Sequence, residues 1–384
     1  NDRIGAFRFE SLLSGEGTYV FDNTLFFGTA IGAISNPDIK WEEQVTLDVG
    51  VDSRFLGGKL SFEMDYFNRE TRDLLLVVQT SGTTGSTAPG SGNPVANAGS
   101  VRNSGFELSL GYKQNIGNDL SFGVNYNLTT LDNEVLSVNN GVGYEVGGGF
   151  GIGQDPPARM EEGFPIGYYY GYQTEGIFQT QEEADNAPSQ IALGALARAG
   201  DIRFKDLNGD GVINTQDKSY IGDPIPDVTM GLNLSFEYKN FDFQSYFFAS
   251  LGNEIVRNYE RNDRFTNRTT YYLNRWTGPG TSNEFPRVTT AATSNLVFSD
   301  FYVEDGSFLR AQNMQLGFTL GDKMLEKFKL SKLRVYVSAS NVFTLTKYRG
   351  YDPTSSNGSP IGSGFDPGFY PTPRTYLLGA NIKL

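Results

Sequence analysis

The chain contains no cysteine and no histidine. The first absence excludes disulfides, thiolate nucleophiles and cysteine-ligated zinc or iron–sulfur centres. The second removes Ser–His–Asp triads, His-ligated metals and imidazole proton shuttles. Positive charge is also short: 31 Lys and Arg stand against 44 Asp and Glu in 384 residues, a net charge of −13. That balance argues against nucleic acid as a partner, because phosphate binding needs clustered Lys and Arg. Long apolar runs are missing too. The longest, Leu74-Leu75-Leu76-Val77-Val78, falls far below the ~18 residues of a membrane helix. Residues 1–11 lack a basic stretch followed by an apolar core, so no signal peptide is read there.

Glycine is abundant, 46 residues or about 12%, against a usual ~7%. Phe (29) and Tyr (21) dominate the aromatics, while Trp is only 2. This composition fits an all-β protein, either soluble or set in an outer membrane as a barrel whose wet interior lowers its average hydropathy.

Two-residue alternation decides more. Val228, Met230, Leu232, Leu234, Phe236 and Tyr238 are apolar, and Thr229, Gly231, Asn233, Ser235, Glu237 and Lys239 between them are small or polar. The same period begins at Val45, Leu60, Phe106, Leu120, Phe241, Met314, Leu333 and Tyr376. With a segment around residues 4–12, about ten strands are expected, each near the ~9–11 residues that cross a bilayer when tilted. Their connections alternate strictly. Short links at 57–58, 116–119 and 239–240, and an intermediate one at 321–331, take turns with long links at 14–41, 73–100, 133–226, 256–305 and 346–374. An up-and-down membrane barrel has this rhythm, with short periplasmic turns and long external loops, and it places the C-terminus on the periplasmic side. A β-sandwich rarely alternates its links so regularly. A propeller would repeat every ~40–50 residues, and no such repeat is present. Aromatics at Tyr66-Phe67, Tyr112, Tyr238, Phe301-Tyr302 and Tyr376 suit an interfacial girdle. The reading is an all-β, antiparallel transmembrane barrel. On it, Ser121, Asn125, Asn127, Thr229, Asn233 and Ser235 line a wet interior.

Within the long links, residues 81–100 are rich in Gly, Ser, Thr and Asn and read as a mobile loop. Residues 182–199 read as a short helix with Ile191, Leu193 and Leu196 on its apolar side. The sharpest motif is Asp206-Leu-Asn208-Gly-Asp210-Gly211-Val212-Ile-Asn214-Thr-Gln-Asp217, which follows the twelve-residue calcium loop. Asp206, Asn208, Asp210, the Val212 carbonyl and Asn214 offer hard oxygens, and Asp217 stands where a bidentate Glu is usual. These donors suit a structural Ca²⁺ better than Mg²⁺; the competing reading is an Asx-rich turn with no ion. Tyr168, Tyr170 and Tyr172, and Tyr271, Tyr272 and Trp276, could stack on sugars or anchor a partner, or simply seat loops on the barrel rim. The pairs Glu161-Glu162 and Glu182-Glu183 read as solvated acids. No convergent nucleophile–base pair and no phosphate cradle are visible, so neither catalysis nor an organic cofactor is expected.

Several segments then resemble the SusC/RagA-type TonB-dependent transporters. Ser35-Asn-Pro-Asp-Ile-Lys-Trp-Glu42 is similar to their NPDLKWE motif, and Ala98-Gly-Ser-Val-Arg-Asn-Ser-Gly-Phe-Glu-Leu108 to their NxGSVRNKGFEL segment. Gly200-Asp-Ile-Arg-Phe-Lys-Asp-Leu-Asn-Gly-Asp-Gly-Val-Ile213 resembles their GDIKFKDLNGDGVI loop, and Ile221-Gly-Asp-Pro-Ile-Pro-Asp227 follows. Glu304-Asp-Gly-Ser-Phe-Leu-Arg310, Ser340-Asn-Val-Phe343, Gly350-Tyr-Asp-Pro353 and Pro371-Thr-Pro-Arg-Thr-Tyr376 complete the series in family order. The final strand also looks like a barrel-assembly signal, although Leu377 and Leu384 depart from the usual residues. The resemblance implies a 22-stranded outer-membrane barrel importing oligosaccharides or peptides, lidded by a SusD-like surface lipoprotein and energised through TonB. Residues 1–384 would be the C-terminal part of that barrel, because the family's plug and TonB-binding segment match nothing here and about ten strands cannot close it. A transporter-like barrel serving as a scaffold in a secretion or assembly complex is the alternative.

Overall fold

The computed structural model describes residues 10, 13–32, 34–78, 92–151, 153–259, 269–355 and 358–383. It opens with a hairpin of β1 (Leu13–Phe21) and β2 (Thr24–Ile31). Asp22 and Asn23 both take positive φ, 45° and 60°, the backbone of a tight two-residue hairpin turn that Asp and Asn tolerate. The link expected to be irregular over residues 14–41 therefore contains paired strands. The strand expected around residues 4–12, and most of the glycine- and serine-rich loop, lie outside the described residues.

A long antiparallel meander follows: β3 (Glu43–Phe55), β4 (Leu60–Val77), β5 (Val95–Ile116) and β6 (Leu120–Thr130). β7 (Asp132–Val138) then folds back along the upper part of β5. Between β7 and the next meander strand come β8 (Tyr144–Gly147), β9 (Ala158–Glu161), β10 (Tyr168–Tyr172), β11 (Thr174–Ile177), α1 (Gln181–Asn186), β12 (Ile202–Phe204) and β13 (Lys218–Tyr220). The meander resumes with β14 (Val228–Tyr238) and β15 (Phe241–Leu251). It is interrupted by β16 (Glu254–Arg257) and β17 (Val303–Asp305), then continues through β18 (Phe308–Thr319). α2 (Asp322–Phe328), β19 (Lys332–Thr346), β20 (Phe365–Asp366) and β21 (Thr375–Lys383) complete the chain. The main sheet runs β3-β4-β5-β6-β14-β15-β18-β19-β21, with β7 beside β5 as its tenth strand. The alternation-marked segments thus become the nine strands of the path.

Register explains the alternation. Asn233 pairs with Asn125 on one side and Tyr246 on the other, and Ser235 with Gly123 and Gln244. Across β5, Ser109 meets Asn127 and Gly111 meets Asn125. One face of the sheet is therefore polar across neighbouring strands. The opposite face carries Leu234, Val124 and Met314, and at its edges Val49 and Leu378 are 61% and 76% exposed. Such an open apolar face is what lipid contact requires. No described helix is long and apolar enough to cross a membrane. On the polar face Gly379 lies under the Tyr336 ring, where a Cβ would come within 2.4 Å of it; the missing side chain lets the aromatic cover the strand.

The buried core lies instead among the long links, at one end of the sheet. Tyr169, Val256, Phe298, Tyr302 and Phe365 form one cluster. Tyr172, Ile177, Ile202, Phe204 and Ile213 form a second. Phe301-Tyr302, expected in an interfacial girdle, belongs here, with Tyr302 buried. Tyr66-Phe67 lies mid-strand rather than at a strand end, because β4 runs on to Val77. The expected helix over residues 182–199 is cut to α1 and a single 3₁₀ turn, Ile191–Leu193. Pro188 cannot donate within a continuing helix, and Ile191 and Leu196 point to solvent.

Leu234→Lys, mid-strand on the apolar face, should lower the stability of the protein refolded into lipid by about 2–4 kcal/mol. Asn233→Lys, one residue away on the polar face, should change it by less than about 1 kcal/mol. Denaturant titration in vesicles measures both, and equal losses would refute the assignment of faces.

Candidate functional site

Three buried carboxylates, each paired to arginine, tie the long loops of the loop-side subdomain to one another and to the sheet. Arg257, fully buried, holds Glu304 at 2.9 Å, and Arg349 reaches the same carboxylate at 2.9 Å. The Arg257 guanidinium also sits over the rings of Phe285, Phe301 and Tyr302. Arg310 binds Asp352 at 2.6 Å. Burial would push the Asp352 carboxyl up, but hydrogen bonds from Thr354 and Thr372 hold it well below the usual range. Asp201, fully buried, takes Arg287 at 2.8 Å and also accepts from the Asn295 amide. Removing one partner of such a pair strands a buried charge, at about 3–5 kcal/mol.

The two predicted aromatic groups take different places. Tyr168, Tyr170 and Tyr172 share one face of a four-stranded sheet ordered β13-β10-β9-β8. Tyr168 is buried, donates to the Glu161 carboxylate and stacks between Phe164 and Tyr220; burial first, and then Glu161, push its phenol well up. Tyr172 is buried against Phe204, and burial raises its phenol to about 12. Tyr170 is half-buried and lines a cavity of about 550 Å³ with Tyr144, Arg159 and Lys218. Tyr271 and Tyr272 pack on Phe285, and Tyr271 donates to the Arg349 carbonyl. Trp276 covers Gly200 and packs on the cluster that contains Tyr172. Both groups thus stiffen the subdomain, and Tyr170 faces open space.

The Asp206–Asp217 segment closes on itself. Asp206 accepts from the N–H groups of Gly209 and Gly211, Asn208 from Asp210, and Asp210 from Val212. Asn214 accepts from Gln216 and caps a 3₁₀ turn. Asp217 is fully buried and accepts from Leu207 and Asn214, one oxygen each. Among the described residues no three acidic side chains converge into a metal cluster. A cation here would rest on Asp206 and Asp210 with the Asn208 amide, the Val212 carbonyl and Asn214, while Asp217 serves as the anchor beneath.

A carboxylate junction was not legible in the sequence. Glu254, at the start of β16, accepts from the Asp223 N–H, and Tyr220 donates to Asp223. Burial first, and then Asp223, Asp227 and Asp305, raise Glu254 to about 7. Asp223 is also raised, chiefly by burial. The only local signal was the acid spacing of the Gly222-Asp-Pro-Ile-Pro-Asp227 segment, which joins this subdomain to β14. Because the folded state raises Glu254, its contribution is full below about pH 4.5 and is lost as pH rises through about 7. Glu254→Gln should therefore flatten the fall in stability between pH 5 and 8, by about 1 kcal/mol after allowing for its partial exposure. Thermal melts across that range test this; an unchanged slope would remove the junction's pH role.

Comparison with known proteins agrees with this architecture. The family described as TonB dependent receptor-like, beta-barrel, matches residues 14–244. TonB-dependent receptor P3 of Formosa agariphila is 32% identical over 93% of this chain, which covers 35% of that protein. TonB-dependent receptor SusC of Bacteroides thetaiotaomicron is 28% identical over 95% of the chain and 34% of its own length. The chain thus spans about a third of the length of these curated relatives. A solved structure of the RagAB peptide transporter superposes on all of this chain and 39% of its own, with a TM-score of 0.78 at 23% identity, a likeness of fold. With that family model matching more than half of its residues, the chain belongs to the TonB dependent receptor-like β-barrel family.

Proposed function

We propose that this chain forms part of an outer-membrane importer of oligomeric nutrients, oligosaccharides or peptides, and that it performs no bond chemistry. The observation that carries the reading is the two-sided meander, polar on one face and apolar on the other, joined through alternate links to a packed subdomain at one end. In this reading the short turns are periplasmic and the long loops extracellular. Ligand is held between the loop-side subdomain and a SusD-like surface lipoprotein, then passes along the polar face. Energy arrives through TonB, by a segment outside these 384 residues. The relatives' names support the reading: one is SusC, and the RagAB neighbour is a peptide transporter.

Deletion of the gene should abolish growth on one class of oligomer and uptake of its labelled form, and the purified receptor should carry a surface lipoprotein. Normal growth on every oligomer tested, with secretion machinery co-purifying, would favour the scaffold role instead.

The Asp206–Asp217 loop extends the proposal to a structural Ca²⁺, with Mg²⁺ less suited. Adding 1 mM Ca²⁺ to chelator-treated receptor should raise its melting temperature by about 2–4 °C, as ~1 kcal/mol does in a large domain, and Asp210→Asn should remove the rise. A melt indifferent to Ca²⁺ would leave only the Asx turn.

A further inference from the structure

Strand pairing gathers an unusual set of side chains on one face of the β8–β9–β10–β13 sheet. Tyr172 lies opposite Lys218, Tyr168 opposite Arg159, and Arg159 opposite Val146, two residues from Tyr144. Tyr144, Arg159, Tyr170, Tyr172 and Lys218 therefore project to the same side, and all five line the 550 Å³ cavity. The other side of the sheet carries Ala158, Met160 and Tyr169, all buried. The cavity is thus the outer face of a sheet whose back is fixed in the core.

The two cations are held differently. Arg159 is flanked by the Tyr170 ring at 3.5 Å and the Tyr144 ring at 4.3 Å, and Glu161 reaches it at 3.4 Å. Its plane is set before any ligand arrives. Lys218 is half-buried, with the Tyr172 ring 5.5 Å away and no hydrogen bond or ion pair among the described residues. Burial, opposed by Asp155 and aided by Arg159, lowers its pKa. Asp155 is exposed at the rim, and Glu145 is buried and engaged by the Asn140 amide. A half-buried ammonium without a counter-ion is an uncompensated charge, and an entering anion relieves it.

We propose that this face is a ligand subsite for a carboxylate-bearing sugar, a uronate residue of an oligosaccharide, with the carboxylate at Lys218. Resting on the import reading, it narrows the cargo to acidic glycans. The phenol hydroxyls of Tyr144 and Tyr170 have no hydrogen-bond partner among the described residues and can meet sugar hydroxyls, while phenol rings offer surface to pyranose planes. Sheet faces of this kind suit rings and hydroxyls, whereas an extended peptide gains most of its affinity by pairing along a strand edge. The cavity lies on the face, which favours the saccharide over the peptide.

The test uses the full-length receptor with its lipoprotein in detergent. Calorimetry compares tetragalacturonate, tetramannuronate and tetraguluronate with their methyl esters, and with the peptide Ala-Ala-Ala-Asp. At least one uronate should bind ten-fold or more tightly than its ester, and Lys218→Met, which keeps the apolar stem, should erase that preference, weakening the uronate ten-fold or more and the ester by much less. Lys218→Arg should retain part of it. No preference for any uronate, a preference that survives Lys218→Met, or tighter binding of the peptide overturns the proposal. Uptake measured in cells separates the two readings. Import of a neutral oligomer but of no uronate leaves the importer standing and this subsite refuted; no import of any oligomer refutes the importer itself.

Discussion

A strand in hydrocarbon must hydrogen-bond every N–H and C=O to a neighbouring strand, because no water is there to take them. That requirement governs the molecule. It makes the sheet continuous, each strand between the end strands β3 and β21 paired on both sides, and it leaves side chains as the only freedom. With one face against lipid and the other wet, the sequence has to alternate, and the sheet can have no buried middle. The consequence is visible in burial: the largest fully buried side chains, Arg257, Tyr168, Tyr169, Phe178 and Phe204 among them, come from the links between the meander strands, and Val95 at the loop-side end of β5 is the exception.

This division explains what could be read from the sequence. Period-two patterning reports strands faithfully when one face is apolar and the other is not, so the segments from Val45 to the one at Tyr376 fell on real strands. It fails in the loop-side subdomain, where short strands have both faces covered. Tyr168 to Tyr172 reads as a run of aromatics, yet Tyr169 faces the core and Tyr170 faces a cavity. Lys218 and Arg159 carried no local signal, since their meaning comes from pairing across residues some 60 positions apart. The hairpin at Asp22-Asn23 is a different matter, because a two-residue Asp-Asn turn between apolar runs is a local signal that the sequence carries.

The motifs that first suggested the family have structural work to do. Asn97, within the Ala96–Ser100 stretch, donates to the carbonyls of Lys40 and Asp73 and accepts from the Lys40 N–H. Glu42 accepts from Leu75. The NPDIKWE segment and Asn97, the residue just before AGSVRN, thus clip β3, β4 and β5 together where the strands leave the sheet. Glu304 and Arg310 of one motif, and Asp352 of another, are members of the buried ion pairs. Their spacing records which loops must be tied to which, and says nothing about cargo. The choice of cargo lies with the cavity's side chains and not with the motifs.

β5 is 22 residues long, about twice what a bilayer needs. It and β4 rise past β3 and β6 as a mast, with β7 beside β5 for part of its height, and Asp73, at φ 53°, places a bulge in β4 where the mast leaves the sheet. A bulge bends its strand and tightens the local twist. The angle at which the mast leans is consequently set where two register shifts meet, one in β4 at Asp73, held by Asn97, and one in β5 at Ala98, so that a small rotation there would swing the far tip through a much longer arc.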